Sequence, residues 1–184
     1  PHFLFNALSA IQNLCHDGSP EAEEATVAFS QFLRTNLDSL TASMPVPFEK
    51  ELLHTRNYLI LEHKRFGDRL RVEYDIQVSD FLLPPLTLQP IVENAVQHGI
   101  TQRSGGGTVR ISTRKTDDAY TVTVADDGVG FDVNALPQDG RSHIGISNVR
   151  ERLRAMCGGS LTVTSTPGEG TLAVIGIPGN STAQ

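Results

Sequence analysis

Two short stretches about thirty residues apart, Pro90-Ile-Val-Glu-Asn-Ala-Val-Gln-His-Gly99 and Asp126-Asp-Gly-Val-Gly-Phe131, put the tightest limit on what this chain can become. The first reads as a helix with one polar face. The second reads as a strand end that breaks into a glycine turn behind a carboxylate. A fold that serves both must bring a helix flank against the end of a strand, and such a cleft can hold a metal-bound triphosphate and an adenine together.

The residues support this chemistry one by one. In a helix over residues 86–98, Leu88, Ile91, Val92, Ala95 and Val96 are expected to face a sheet, while Asn94, Gln97 and His98 recur at i, i+3 and i+4 on the other side. Asn94 can offer its amide oxygen to a magnesium ion, which keeps several waters and takes phosphate oxygens, so one protein ligand suffices. Asp126 can accept a hydrogen from the adenine amino group, and Gly128 and Gly130 let the backbone approach a flat base. A third stretch, Ser142-His-Ile-Gly-Ile-Ser-Asn148, places Gly145 at a helix start directly after a long polar loop over residues 132–142. Free N–H groups at such a start bind phosphate, and a glycine-hinged loop can close over it. The fourth is Gly168-Glu-Gly-Thr171 before a strand. Each has an ordinary explanation alone: a solvated helix face, an Asp-Gly turn, a helix entry capped by Ser142, a hairpin bend. Together, in this order, they point to an ATP site.

The surrounding pattern sets the architecture. Leu70, Val72, Tyr74, Ile76 and Val78 alternate with polar residues as a half-buried strand over 70–78. Strands are expected over 108–114 and 120–125, a helix over 145–156, and a last hairpin of strands over 161–165 and 171–177. Helices and a largely antiparallel sheet segregate, which gives an α+β sandwich.

The N-terminal part differs. Leu4, Leu8, Ile11 and Cys15 recur on one face of a helix over residues 2–16, with His2, Asn6, Ser9 and Asn13 on another, so His2 lies on a polar, accessible stripe. Asp17-Gly-Ser-Pro20 breaks that helix, with Ser19 as N-cap and Pro20 as first helical residue of a second helix over 20–43. Its apolar face carries Phe29, Phe32, Leu33, Leu37 and Leu40. This helical hairpin cannot bury both its faces alone, so the intact protein is expected to dimerise as a four-helix bundle. A third helix over 48–66, after Met44-Pro-Val-Pro47, ends at Gly67 and links the two parts.

Composition narrows the classes. The chain has 184 residues, 39% of them apolar, and a net charge of -6 with scattered lysine and arginine, which argues against nucleic acid as the partner. Cys15 and Cys157 stand far apart with no metal-ligand pattern, so a disulfide framework or zinc site is not expected and a reducing, cytoplasmic setting fits. No apolar run approaches the roughly eighteen residues that span a bilayer. The chain lacks an initiator methionine and opens inside a motif, as a fragment does, so any membrane anchor is expected in segments outside it.

The region from about Arg69 to Pro178 resembles the GHKL (Bergerat-type) ATPase fold shared by gyrase, the ninety-kilodalton heat-shock chaperone, mismatch-repair ATPases and sensor histidine kinases. Asn94 matches the N-box asparagine, Asp126, Gly128 and Gly130 the DxGxG box, Gly145 the second glycine box with Ile146 beside it, and Gly168, Gly170 and Thr171 the closing GxGT. Pro1-His-Phe-Leu-Phe-Asn6, Leu88-Gln-Pro-Ile-Val-Glu-Asn-Ala-Val-Gln-His-Gly99 and Gly145-Ile-Ser-Asn-Val-Arg-Glu-Arg-Leu153 resemble the LytS/YehU-type bacterial histidine kinases, now over essentially the whole chain.

That resemblance implies a phosphoacceptor and dimerisation hairpin over 1–43, a linking helix over 44–67 and an ATP-binding catalytic domain over 68–180. It implies autophosphorylation of His2 by Mg-ATP and transfer of the phosphoryl group to an aspartate of a cognate response regulator, with Asn94, Gln97, His98, Asp126, Gly128, Gly130, Gly145, Ile146, Gly170 and Thr171 around the nucleotide. An imidazole with an ordinary pKa of about 6.5 is a neutral nucleophile at cytoplasmic pH. Two positions depart from the pattern. Many histidine kinases carry an acidic residue after the phosphoacceptor, here Phe3, which leaves Glu93 or an unassisted imidazole as alternatives for the base. Gln97 stands where many have a lysine, so phosphate contact is expected from His98, Arg150 or the loop. A GHKL clamp ATPase is the main alternative, but the glutamate that activates water in clamps is Pro90 here. An anti-sigma-type serine kinase leaves the hairpin unexplained, and a degenerate nucleotide-binding module leaves the intact motifs unexplained.

Overall fold

The computed structural model describes residues 2–41, 44–132 and 144–179, with the side chains at 2, 40, 41 and 144 excepted. Two helices, α1 (His2–His16) and α2 (Glu21–Thr41), form the expected hairpin. Ser19 starts α2 as read from sequence, its hydroxyl accepting from the Glu21 N–H at 3.3 Å. The buried face of α1 is rotated from the expected one. Ala7 is buried and Phe3, Leu4, Ile11 and Leu14 pack against the core, whereas Leu8 is 50% exposed and Cys15 is exposed.

The reason is a third helix, α3 (Phe48–Phe66), which packs on both hairpin helices and selects their inner faces. Phe3 of α1 lies 4.8 Å from Phe32 of α2 and 5.1 Å from Tyr58 of α3, ring centre to ring centre. Such aromatic contacts add about 0.5–1.5 kcal/mol each beyond the area they bury. The helix ends at Gly67, as expected, where φ is +56°.

Two strands of two residues, β1 (Val46–Pro47) and β3 (Leu82–Leu83), pair antiparallel at the foot of α3. Below them Phe81 stacks between Phe48 and Tyr120, at 4.8 and 4.9 Å. The main sheet has five strands in the order β2 (Leu70–Ile76), β4 (Gly107–Lys115), β5 (Ala119–Asp126), β7 (Gly170–Pro178), β6 (Ser160–Thr166). The β2–β4 pair is parallel and the rest are antiparallel. One sheet face buries Val109, Ile111, Tyr120, Val122, Val124, Ala173, Ile175 and Ile177 in a cluster with helices α4 (Leu88–Asn94) and α5 (Ile144–Cys157). The other face carries threonines and charged pairs such as Arg110–Glu73, as an antiparallel sheet with one solvated side does.

Helix α4 does not stop at Asn94. It widens into a π-helical turn over Ala95–Ile100, marked by the Thr101 N–H reaching back five residues to the Val96 carbonyl at 3.0 Å. π-Turns of this kind concentrate at functional sites.

Candidate nucleotide site

Helix α4 presents three stripes. Leu88, Val92 and Val96 are fully buried in the core. Ile91, Asn94, Ala95, His98 and Gly99 line a cavity of about 160 Å³ whose other wall is Val124, Asp126, Phe131, Ile146, Val163, Thr171 and Ala173. Gln89, Glu93 and Gln97, four residues apart, form the third stripe, against α3. The structure therefore separates residues that the sequence placed on one face. Asn94 and His98 reach the cavity, but Gln97 instead approaches the buried Tyr58 hydroxyl. Glu93 accepts from Gln89 Nε2 at 2.5 Å and faces Tyr58 and Glu62 electrostatically, away from the cavity lining.

Asp126 lines the cavity from the sheet. It is the last residue of β5, only 8% exposed, and opposite Thr171 of β7. Its Oδ1 accepts from the Gly128 N–H at 2.9 Å. Burial, with some help from the charge of Asp127, pushes its carboxyl up to about 6 against the pull of the Gly128 and Thr171 hydrogen bonds. A carboxylate with so little water around it is strongly rewarded by one well-placed donor, such as an exocyclic amine.

Two glycine interlocks hold that carboxylate in place. A Cβ on Gly128 would lie 2.3 Å from the Gly99 carbonyl carbon and 2.7 Å from Asp126 Oδ1, and one on Gly99 would lie 2.5 Å from the same oxygen. The π-turn and the glycine turn thus touch backbone to backbone, and the Val129 N–H donates to the Gly99 carbonyl at 3.2 Å. Gly130 and Gly170 adopt φ of +57° and +105°, the left-handed region that an L side chain resists. Ser165 ties this floor together, donating to the Gly170 carbonyl at 2.9 Å and accepting from the Phe131 N–H at 2.9 Å.

On α4, Asn94 Nδ2 donates to the Pro90 carbonyl at 2.8 Å. That bond commits the amide nitrogen and leaves Oδ1 as the atom able to bind a cation. Among the described residues no cluster of three or more His, Cys, Asp or Glu could hold a metal alone. Asn94 with phosphate oxygens is the donor set that fits magnesium.

Ile146, in the first described turns of α5, reaches the cavity, whereas Gly145 is exposed with open space around it. Arg150 turns away and donates to the Leu161 carbonyl at 3.3 Å. The loop from 133 to 143, with Ser142, and the side chain of His2 lie outside the described residues; the backbone of His2 begins α1. The apolar walls, Ile91, Ala95, Val124, Phe131, Val163 and Ala173, were not singled out from sequence as site residues, nor was Gly99. Their signal was present: Gly99 ends the first motif and Phe131 directly follows the second.

Comparison with known proteins agrees with this geometry. Residues 84–181 match the histidine kinase-, DNA gyrase B-, and HSP90-like ATPase family, and residues 1–70 match the histidine kinase family. YwpD of Bacillus subtilis is 38% identical over 93% of this chain and 64% of its own length. The sensor histidine kinase YpdA of Escherichia coli is 36% identical over 89% of this chain and 30% of its own length. The sensor protein LytS of Oceanobacillus iheyensis is 36% identical over 86% of this chain and 29% of its own length. The chain therefore spans less than two thirds of each of these relatives. Among solved structures, the histidine kinase domain of the Erythrobacter litoralis EL346 blue-light activated histidine kinase superposes with a TM-score of 0.57 at 17% identity, over 96% of this chain and 92% of that one, which supports the fold. No helix among the described residues is long and apolar enough to cross a membrane. The cavity between α4 and the sheet, its carboxylate and its glycine interlocks are those of a GHKL ATP-binding domain, and the chain belongs to the histidine kinase-, DNA gyrase B-, and HSP90-like ATPase family, with a histidine kinase region ahead of that domain.

Proposed function

We propose that this chain is the catalytic portion of a two-component histidine kinase that transfers the ATP γ-phosphoryl group to His2 and then to an aspartate of a response regulator. The observation that carries the reading is the buried Asp126 carboxylate, locked by Gly99 and Gly128, in a cavity that Asn94 also lines. Asp126 accepts the adenine amino hydrogen while Ile91, Ala95, Val124 and Ala173 exclude water from the base. Asn94 Oδ1 would hold a magnesium ion, whose charge would offset that of the phosphates. Gly130, Gly170 and Thr171 shape the floor, and Gly145 opens toward solvent at the start of α5.

In the transfer step an imidazole nitrogen of His2 attacks the γ-phosphorus, the bond to the β–γ bridging oxygen breaks, ADP leaves and the ring proton is lost. Positioning and charge neutralisation supply most of the rate in such loose phosphoryl transfers. Glu93 faces α3, so the geometry favours an unassisted neutral imidazole over Glu93 as base. The hairpin over 1–43, the link over 44–67 and the catalytic unit over 68–180 are the working parts, and the exposed Phe5, Leu8, Val27 and Leu37 supply apolar surface for a second copy. A cytoplasmic setting follows from the use of ATP.

The test uses the full-length protein with ATP and magnesium. Acid-labile phosphate should appear on His2, and His2→Ala should bind nucleotide normally yet acquire none. Stable labelling of His2→Ala, or rapid hydrolysis with no phosphoprotein, would overturn the kinase reading.

A further inference from the structure

Helix α4 lacks a cap of its own. Thr87 precedes it, but its hydroxyl donates to the Pro84 carbonyl at 2.6 Å instead of capping the helix. The N–H groups of Leu86, Thr87 and Leu88 all donate to the carboxylate of Glu51, at 2.8, 2.8 and 3.0 Å. Glu51 belongs to α3 and is only 3% exposed. A helix start carries partial positive charge and unpaired donors, so a carboxylate from a neighbouring helix is a strong lock on its position.

The residue held most tightly is also strained. Leu86 has φ of +55°, the only non-glycine residue described with positive φ. A bulky residue stays in that region only where its surroundings fix it. Here its N–H is held by Glu51, and its carbonyl accepts from Arg152 of α5. Arg152 also faces the Glu51 carboxylate electrostatically, and its Nε has no partner among the described residues. Burial pushes the Glu51 carboxyl up, opposed by the three amides and by Arg152.

Three helices with different duties meet at this joint. α4 carries Asn94 about 9 Å along its axis from Leu88. α5 carries Ile146 in the cavity wall. α3 carries Tyr58, on which the first turn of α1 rests through Phe3. We propose that Glu51 is a positioning residue which, with Arg152, couples the nucleotide-facing helices α4 and α5 to α3 and so to the helix that bears His2. The joint rests on the ATP-site reading, and it gives a fixed path by which nucleotide in the cavity is felt at the phosphoacceptor.

The test is made on the full-length protein with Glu51→Gln and Arg152→Met. Glu51→Gln keeps the volume but turns an amide toward three donors; Arg152→Met leaves those three bonds in place, so it reports on the joint even where Glu51→Gln does not fold. ADP affinity is measured by calorimetry, amide hydrogen exchange of residues 48–58 with and without ADP, and phosphohistidine formation at saturating ATP. Both variants should keep ADP affinity within about threefold, lose the ADP-induced protection of α3, and label His2 about tenfold or more slowly. Retained protection in both variants, or affinity, protection and melting temperature falling in proportion, would reduce Glu51 to a structural cap and overturn the proposal. The two readings separate cleanly. A wild-type protein that protects α3 on binding ADP but forms no phosphohistidine sinks the kinase and keeps the joint. One that labels His2 without protecting α3 sinks the joint and keeps the kinase. One that does not bind ADP sinks both.

Discussion

The two polar flanks of α4 follow opposite rules. On the cavity flank, Asp126 is hydrogen-bonded by Gly128 and Thr171, and Gly99 and Gly128 fix its place by steric exclusion. On the α3 flank, Glu62 Oε2 and Gln89 Oε1 are buried with no hydrogen-bond partner among the described residues, and the buried Tyr58 hydroxyl has only Gln97 close by. The charge of Glu93 adds to the cost of ionising Glu62, and the cation Arg65 stands 3.8 Å from Glu62. Burial pushes the Glu62 carboxyl to about 7, with Glu93 adding to the rise and Arg65 opposing it. One side of a single helix is therefore built for fixed geometry and the other is left under polar strain. The lesson is that a ligand-facing surface is satisfied in advance, while the inner joint stores a proton-dependent cost.

The harshest way to break this contrast is Gly128→Ala. Its methyl would meet Gly99 and Asp126 at less than 3 Å, with backbone on one side and the buried carboxylate on the other. Nucleotide binding by calorimetry should fall below detection, with a loss of about 2–4 kcal/mol of stability in urea melts. Wild-type affinity in this variant would mean that the interlock does not hold the carboxylate.

Asp126→Asn should cost less, about 1–3 kcal/mol of nucleotide affinity, since a donor then faces the adenine amino group. The wild-type pH dependence follows from the same group. Only the ionised carboxylate accepts, so ATP affinity should be flat above neutrality and fall as pH drops through about 6. An affinity independent of pH between 5 and 7, checked by titration calorimetry, would remove Asp126 from the base.

On the other flank, Glu62→Gln should raise stability. Between its ordinary value of 4.5 and about 7, the folded state keeps a proton that the unfolded chain has released, so wild-type stability falls as pH rises through that window. The variant should be the more stable by up to roughly 3 kcal/mol at pH 8, with the advantage fading toward pH 5. Equal melting curves at both pH values would show that Glu62 carries no such cost.

The smallest effect should come from Gln97→Ala, which leaves Mg-ATP affinity within about twofold because its side chain meets Tyr58 and not the cavity. Asn94→Ala, three residues away, should abolish the magnesium-dependent part of ATP affinity and spare adenosine. Equal losses in the two variants would merge the flanks again.

Much of this arrangement was legible in the sequence, for physical reasons. Strand alternation located β2, and a glycine at φ +56° ended α3 where the pattern stopped. The stretch from Asp126 to Gly130 showed its turn because only glycine tolerates the close approaches there. Other features leave no local trace. The buried side of α1 is chosen by α3, so Ala7 and Leu14 go inside and the larger-looking stripe through Leu8 and Cys15 does not. The β1–β3 pair has two residues a side and a proline in one of them, too little for any period to show. Gln97 shares the i+3 spacing that suggested a common face with Asn94, yet the third stripe of α4 belongs to a neighbour that only tertiary packing supplies. Glu51 reads as an ordinary first-turn acid of α3, and nothing in its neighbourhood announces a helix thirty-five residues downstream.

The parallel pairing of β2 with β4 has a consequence for how the chain acquires its shape. Leu70 lies opposite Gly107, so the closure of this pair encircles the whole of α4 and its π-turn. Pairings this distant in sequence form slowly, because the entropy of closing the intervening loop is lost before any contact is gained. The cavity wall therefore cannot precede the crossover that surrounds it. During synthesis α4 must wait, apolar stripe uncovered, until β5 and β7 have emerged to cover it, which makes the unfinished chain most prone to aggregation over the very residues that later line the cavity.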